Sequence, residues 1–435
     1  MNYPTGRHYS RRLHAAAALA ALLALAGCSL FRRQPPPPPP APAPAPAEAP
    51  APVRAAPLAT HRFEFDPAHD DVVGVLQTTV IGKEDTLPDI ARRFNVGYEE
   101  MVRANPGVDP WLPGVGREVV VPTRFVLPDA PRDGLVINVA AMRIYYFPKH
   151  AKGEPQVVIT HPIGIGKVGW QTPEGVTKVI ARVKDPVWVP PVSVRKEHAE
   201  DGDMLPAKVP AGPDNPLGAY MFRLSWPSYL IHGTNKPYGV GMRSSHGCVR
   251  LYPEDIAIFY DTVPIGTPVR VVNQPYVLGW QGEQLYVQAY GPLEDDKRAW
   301  QHGPKSLLKK AGKTPLWRRI RAHDADIDWE RARLLSEQPR GVPVAIMKHG
   351  SEPLDAVLAG ALKVRNELPQ GATWDGRTGL LVDEKQFAEM LGEREPDASA
   401  ATPSVAPGAQ TANPQATAPA PVPPPPPKVP PAPHP

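Results

Sequence analysis

Between Val80 and Val121 the apolar positions of the chain change period twice. Val80-Ile81-Gly82 reads as a strand, and Leu87, Ile90, Ala91 and Phe94 then recur at helical spacing, which predicts a short helix over Thr86–Phe94. Asn95-Val96-Gly97 interrupts it. A second helix follows over Tyr98–Ala104, is stopped by Asn105-Pro106-Gly107, and gives way to a closing strand at Glu118–Pro122. The order strand, helix, helix, strand defines a small α+β module over residues 78–123. Beyond Gly134 the pattern becomes one of short strands rich in β-branched and aromatic residues: Val136–Val139, Arg143–Phe147, Gln156–Thr160, Thr177–Arg182 and Val269–Val272, divided by Gly and Pro. This predicts a mainly-β domain, a sandwich or barrel, over residues 134–273. Gln284–Gln288 reads as a further strand, and Trp329–Glu337 and Glu384–Leu391 as helices. They define a mixed α/β C-terminal extension over residues 274–396 to which no chemistry attaches.

Composition adds the tails. The 435 residues include 60 prolines, too many for one packed core. They concentrate in residues 28–60, read as a lipid anchor and Pro-rich linker whose stretch from Gln34 to about Thr60 could span on the order of 80 Å at about 3.1 Å per residue, and in a disordered Pro/Ala-rich tail at 397–435. The 48 basic residues against 44 acidic ones leave a net charge of +4, with no basic stripe to suggest a nucleic-acid partner. At the N-terminus Arg7, Arg11 and Arg12 precede an apolar run, Ala15–Ala26, too short to span a bilayer. Residues 1–27 therefore read as a secretory signal. Its end, Leu25-Ala26-Gly27-Cys28, resembles the lipobox of bacterial lipoproteins. That resemblance implies lipidation at Cys28 and, with Ser29 following, a lipid anchor on the periplasmic face of the outer membrane.

The chain has two cysteines, so the second, Cys248, has its own account. It lies in Ser245-His246-Gly247-Cys248-Val249-Arg250, downstream of His232 across a glycine-rich segment. A thiol attacks well only as the thiolate, and an imidazole is the natural base to generate it. The segment from Gly233 to Gly241 can fold His232 back beside Cys248, and His246 alternates onto the same face in an extended chain. Gly247 clears room for a substrate, and the amides of His246, Gly247 and Cys248 can meet a developing oxyanion. Two other readings stand beside the nucleophile: a cysteine that merely fills a small apolar space, and half of a zinc site, for which four ligands are not found. No metal and no cofactor are called for.

The same stretch resembles the signature of the YkuD-type L,D-transpeptidases, an upstream histidine followed by Ser/Thr-His-Gly-Cys, an apolar residue, and Arg or Asn. The resemblance extends to Pro162–Gly166, Thr172–Gly175, Pro210–Gly218 and Val272–Tyr276. It implies a YkuD-type β-sandwich in which Cys248 is the nucleophile and His232 the general base and acid, oriented by the Gly233 carbonyl. His246 and Gly247 would support the loop and the oxyanion, with the roles of the two histidines open to exchange. Ser245, Arg250 and Asn235 would contact substrate, Arg250 holding either the loop or a substrate carboxylate. The implied substrates are peptidoglycan stem tetrapeptides, joined into 3-3 crosslinks or to an outer-membrane lipoprotein acceptor. Two alternatives are an L,D-carboxypeptidase that uses water and a non-catalytic wall-binding lipoprotein.

The module at 78–123 resembles a LysM module through Asp85-Thr86-Leu87, Ile90–Phe94 and Asn105-Pro106. This implies glycan contacts at Asp85, Thr86 and Asn105. It departs from the family's Gly-Asp-Thr turn, because Glu84 stands where the glycine is usual.

Overall fold

The computed structural model describes residues 61–367 apart from 152, 301, 310 and 311, together with the backbone of residues 54 and 55. The signal and Cys28, most of the linker, the helix expected at Glu384–Leu391 and the C-terminal tail lie outside the described residues. In chain order the strands and helices begin with β1 (Arg54–Ala55), β2 (His61–Phe65), β3 (Val72–Gly74), β4 (Gln77–Val80), α1 (Leu87–Arg93), α2 (Tyr98–Ala104), β5 (Glu118–Val121) and β6 (Arg124–Val126). They continue with β7 (Gly134–Asn138), β8 (Arg143–Phe147), β9 (Gln156–Pro162), β10 (Ile165–Gly166), β11 (Gly175–Lys184), α3 (Val192–Glu200), β12 (Tyr220–Leu224), β13 (Leu230–His232), β14 (Arg243–Ser245), β15 (Val249–Arg250), α4 (Pro253–Thr262) and β16 (Pro268–Val272). The C-terminal part adds β17 (Tyr276–Gln281), β18 (Gln284–Ala289), α5 (Pro315–Ala322), α6 (Trp329–Glu337), β19 (Val344–Ala345), α7 (Leu354–Ala359) and β20 (Leu362–Arg365). Among the described residues no helix is long and apolar enough to cross a membrane.

The central domain is mainly β, as its short β-branched and aromatic runs predict. Its layers are not two separate sheets, however, because one nine-stranded sheet runs β15-β13-β12-β11-β16-β7-β8-β9-β2. β11 makes the turn between layers: Gly175–Lys178 pair with β16, and Val179–Lys184, past an irregularity, pair with β12. Ile137 and Ile144 from one half, and Phe222, Ile231 and Val249 from the other, meet Ile256 and Phe259 of α4 in one buried core. Burial of this apolar surface is the main source of stability, at about 25 cal/mol per Å². The opposite face of β7-β8-β9 is covered by Phe125 and Leu127, so these strands are buried on both sides and read as apolar runs.

The small module forms its expected four elements, and β4 pairs antiparallel with β5. Two strands that its local sequence does not contain complete the sheet, in the order β1-β20-β4-β5. β20 comes from the far end of the C-terminal extension, and Thr79 Oγ1 donates to its Val364 carbonyl at 2.9 Å. The departure at Glu84 has a physical correlate: its φ is +65°, the left-handed conformation that a glycine takes without steric cost. Asp324–Asp326 form a short 3₁₀ turn, and Asp328 caps α6 by accepting from Arg331 N at 2.9 Å.

The module is docked through buried polar groups. Arg143 of β8 is fully buried, donates to both Glu100 oxygens at 2.8 Å, and lies 4.1 Å from the centre of the Phe125 ring. Arg92 grips Glu254 with two bonds of 2.9 Å, and Asn95 donates to Asp255 at 2.6 Å. The start of α2 also meets the segment between His232 and Cys248: Tyr98 N donates to Val240 O at 3.2 Å and Glu99 N to Gly241 O at 3.1 Å. Gly241 holds φ +83°, and a Cβ there would stand 2.2 Å from Tyr98 N, so backbone meets backbone with no room for a side chain.

Candidate active site

β13 and β15 are parallel neighbours in register Ile231↔Val249 and His232↔Arg250. Aligned residues share a face and successive residues alternate, so Ile231 and Val249 enter the core while His232, Arg250 and, two residues back, Cys248 share the other face. One strand spacing of about 4.8 Å and two residues at about 3.3 Å bring the Cα atoms of His232 and Cys248 to about 8 Å. The register thus brings the backbone leading into Val249 and Arg250, which carries Cys248, next to that of His232. Gly247, at φ +101°, turns the chain immediately before the cysteine, and a Cβ there would lie 3.0 Å from the Tyr229 ring.

The proton positions follow from the hydrogen bonds. His232 is buried and its Nδ1 donates to Gly233 O at 2.6 Å, which leaves Nε2 as the acceptor. Burial, reinforced by the Arg250 charge, pulls its pKa down to about 3. Burial pushes the Cys248 thiol up, only partly countered by the Leu230 amide and the Arg250 guanidinium. The resting pair is therefore neutral thiol and neutral imidazole. The half-buried thiol donates to Ser228 O at 3.7 Å, and Ser228 itself takes a left-handed φ of +67° that presents this carbonyl.

The remaining residues of the signature hold the loop. Ser245 donates to Cys248 O at 2.6 Å and accepts from Gly247 N at 3.2 Å. His246 is engaged with another element: its Nε2 meets Glu197 of α3 at 3.0 Å, and its ring packs edge-on against Trp170 at 4.9 Å. Lys167 bridges to the same Glu197. Arg250 donates to Ser244 Oγ at 3.3 Å, and its charge faces both His232 and Cys248. Asn235 is tied to the Asp214 carbonyl at 3.1 Å, which links the loop after His232 to the segment Pro210–Gly218.

Three contributors escaped the sequence reading. Glu197 and Lys167 have no local signal, since Glu197 meets His246 49 residues away and Lys167 meets Glu197 30 residues away. Thr172 stands in a stretch already singled out, but only the fold shows its hydroxyl accepting from Gly166 N at 3.1 Å and donating to Gly247 O at 3.0 Å. In the module, Asp85 accepts from Gly82 N at 2.8 Å and pairs with Arg93 at 2.7 Å, and Thr86 forms a capping box with Asp89. Asn105 donates to Met101 O and Val120 O and accepts from Val120 N. All three are thus engaged within the chain's own turns.

Residues 132–271 match the YkuD L,D-transpeptidase catalytic domain. The chain is 38% identical over 288 residues to the "Probable L,D-transpeptidase ErfK/SrfK" of Salmonella typhimurium, covering 65% of this chain and 90% of the relative. To the protein of the same name from Escherichia coli K12 it is 36% identical over 291 residues, again 65% and 90%. To the "Probable L,D-transpeptidase YbiS" of Escherichia coli K12 it is 41% identical over 226 residues, 51% of this chain and 72% of the relative. With a catalytic-domain match over residues 132–271 and 36–38% identity along nine-tenths of the two ErfK/SrfK relatives, the chain belongs to the L,D-transpeptidase family.

Proposed function

We propose that the protein is a cysteine acyltransferase acting on the stem tetrapeptides of peptidoglycan. The observation that carries this reading is the Nδ1–Gly233 bond of His232, which leaves Nε2 free to take a proton on the sheet face it shares with Cys248. Because both groups rest neutral, the thiol proton passes to Nε2 as the sulfur attacks, without a standing ion pair. The attacked carbonyl is that of the L-centre of diaminopimelate in its bond to the fourth-position D-alanine. The S–C bond forms, the oxyanion is met by backbone amide at the Gly247-Cys248 turn, and His232 returns the proton to the departing amine as the C–N bond breaks. Arg250 stabilises negative charge on sulfur and disfavours early protonation of His232. An acceptor amine, from a second diaminopimelate or from an outer-membrane protein, then releases the thioester.

The lipobox at Cys28 and the Pro-rich linker support placement on the periplasmic face of the outer membrane, on a tether. The LysM-like module, whose polar atoms are engaged and whose α2 grips Val240-Gly241, supports the catalytic loop in this reading.

The test is intact-mass analysis of the purified full chain with a tetrapeptide-bearing muropeptide, with and without an acceptor amine. A thioester on Cys248, absent in Cys248→Ala, is expected. Release of D-alanine with no amine adduct would make the enzyme a carboxypeptidase, and absence of any acyl adduct would remove the cysteine mechanism.

A further inference from the structure

We propose that a cavity beside the nucleophile loop binds a free α-amino acid group, ammonium and carboxylate on one carbon, and that this group is the far end of the diaminopimelate side chain of the acyl donor. The proposal rests on the transpeptidase reading above and adds to it a residue-level basis for donor choice. The cavity, of about 550 Å³, has one wall from the active domain, with Gly166 and Thr172, and one from the C-terminal extension, Leu293 to Arg298.

Its charge is balanced. Glu174, Asp295 and Asp296 face Arg243, Lys297 and Arg298, three groups of each sign. Such a lining favours a ligand that carries both signs over a lone anion or cation. The pairs within it are partly closed: Arg243 reaches Asp295 at 2.9 Å, and Arg298 reaches Glu174 at 2.8 Å and Asp296 at 2.7 Å.

Two buried atoms on the wall are left without a hydrogen-bond partner among the described residues: a donor, Arg243 Nη1, and an acceptor, Asn273 Oδ1. Asn273 is 8% exposed, and its amide is oriented by Nδ2 donating to Asp296 at 2.9 Å, so the oxygen is the atom left over. An unmatched buried donor and acceptor each cost about 1–3 kcal/mol. A carboxylate answers the first and an ammonium the second.

The cavity adjoins the nucleophile loop. Thr172 lines it and donates to Gly247 O, one residue before Cys248, and Gly166 pairs with Ser245. The far carbon of diaminopimelate lies about 5 Å from its L-centre along an extended chain of four C–C bonds. An ammonium held among carboxylates is not a nucleophile. The site therefore suits the end of the donor that does not react, not the attacking amine.

The experiment compares acylation of Cys248 in the full chain by two tetrapeptides that differ at the third residue, meso-diaminopimelate or L-lysine, which lacks the terminal carboxylate. We expect kcat/KM for acylation to be at least 10-fold higher with diaminopimelate. Arg298→Ala should lower the diaminopimelate value toward that of lysine, and Asn273→Ala, which removes the acceptor for the ammonium that both peptides carry, should lower both values. Equal rates for the two peptides on the unaltered protein would overturn the site while leaving the cysteine mechanism standing. No acylation by either peptide would take down both. Competition by free glycine, with an inhibition constant below the peptide KM, would show a site for free amino acids and would overturn the assignment to the donor.

Discussion

Glu100→Gln is the substitution for which the structure predicts the largest loss from the smallest change in shape. The variant keeps the side-chain volume and one acceptor oxygen, so Gly97 N, which donates to Glu100 at 2.7 Å, can stay bonded. What disappears is the countercharge of Arg143, which is fully buried among β8, β9 and the Phe125 ring. Burial alone would pull that guanidinium down, yet the adjacent Glu100 carboxylate more than offsets it and holds the pKa above its ordinary range. Stranding a buried charge in this way costs about 3–5 kcal/mol. With about 300 ordered residues at about 2.1 cal/mol/K each, that is a fall in Tm of about 5–8 °C. Because Gly97, Tyr98 and Glu99 hold Val240-Gly241, kcat/KM for acylation should fall as well. Urea unfolding followed by circular dichroism gives the stability. The control is the double variant Glu100→Leu with Arg143→Met, which removes both charges and should cost at least about 2 kcal/mol less than the sum of the two single changes. A Glu100→Gln protein within 1 kcal/mol of the parent, or a double variant with additive cost, would refute the reasoning.

The other predictions concern protons, the loop and the turn at Glu84. Because His232 stays neutral down to about pH 3, the acylation rate should show no acid limb near pH 6.5, and a titration there would contradict the neutral pair. The same lowered value makes the fold acid-sensitive: below about pH 6.5 the unfolded chain takes a proton on this histidine that the folded chain refuses. Stability should therefore fall by roughly 3 kcal/mol between pH 6.5 and 4, and His232→Gln should lose that part of the slope in unfolding curves taken across this range. His246→Phe keeps the packing on Trp170 but breaks the bond to Glu197, so kcat should drop several-fold while an acylated enzyme still forms; complete loss of acylation would instead make His246 a base. Glu84→Gly relieves a left-handed φ of +65° and should raise stability by about 1 kcal/mol in a thermal melt, whereas a lower Tm would show that the Glu84 side chain contributes more than its backbone costs.

The residues that could be read without coordinates are those whose meaning is local. Short runs of β-branched and aromatic residues such as Arg143–Phe147, the helical spacing of Leu87, Ile90 and Phe94, and the turn residues Asn105-Pro106-Gly107 fix elements because backbone preferences act over a few positions. Ser245–Arg250 could be read for a related reason: a thiol, an imidazole and a glycine close together in sequence already restrict the chemistry. The extra strand that β20 gives the module, the bond between His246 and Glu197, and the burial of Arg143 against Glu100 left no such trace. Each joins residues far apart in the chain, and no period or spacing encodes which distant segment will be packed alongside. The protonation of the His232 and Cys248 pair belongs with them. Residue type alone suggested a thiolate, and it is burial, which exists only once the sheet has closed over α4, that sets both groups neutral.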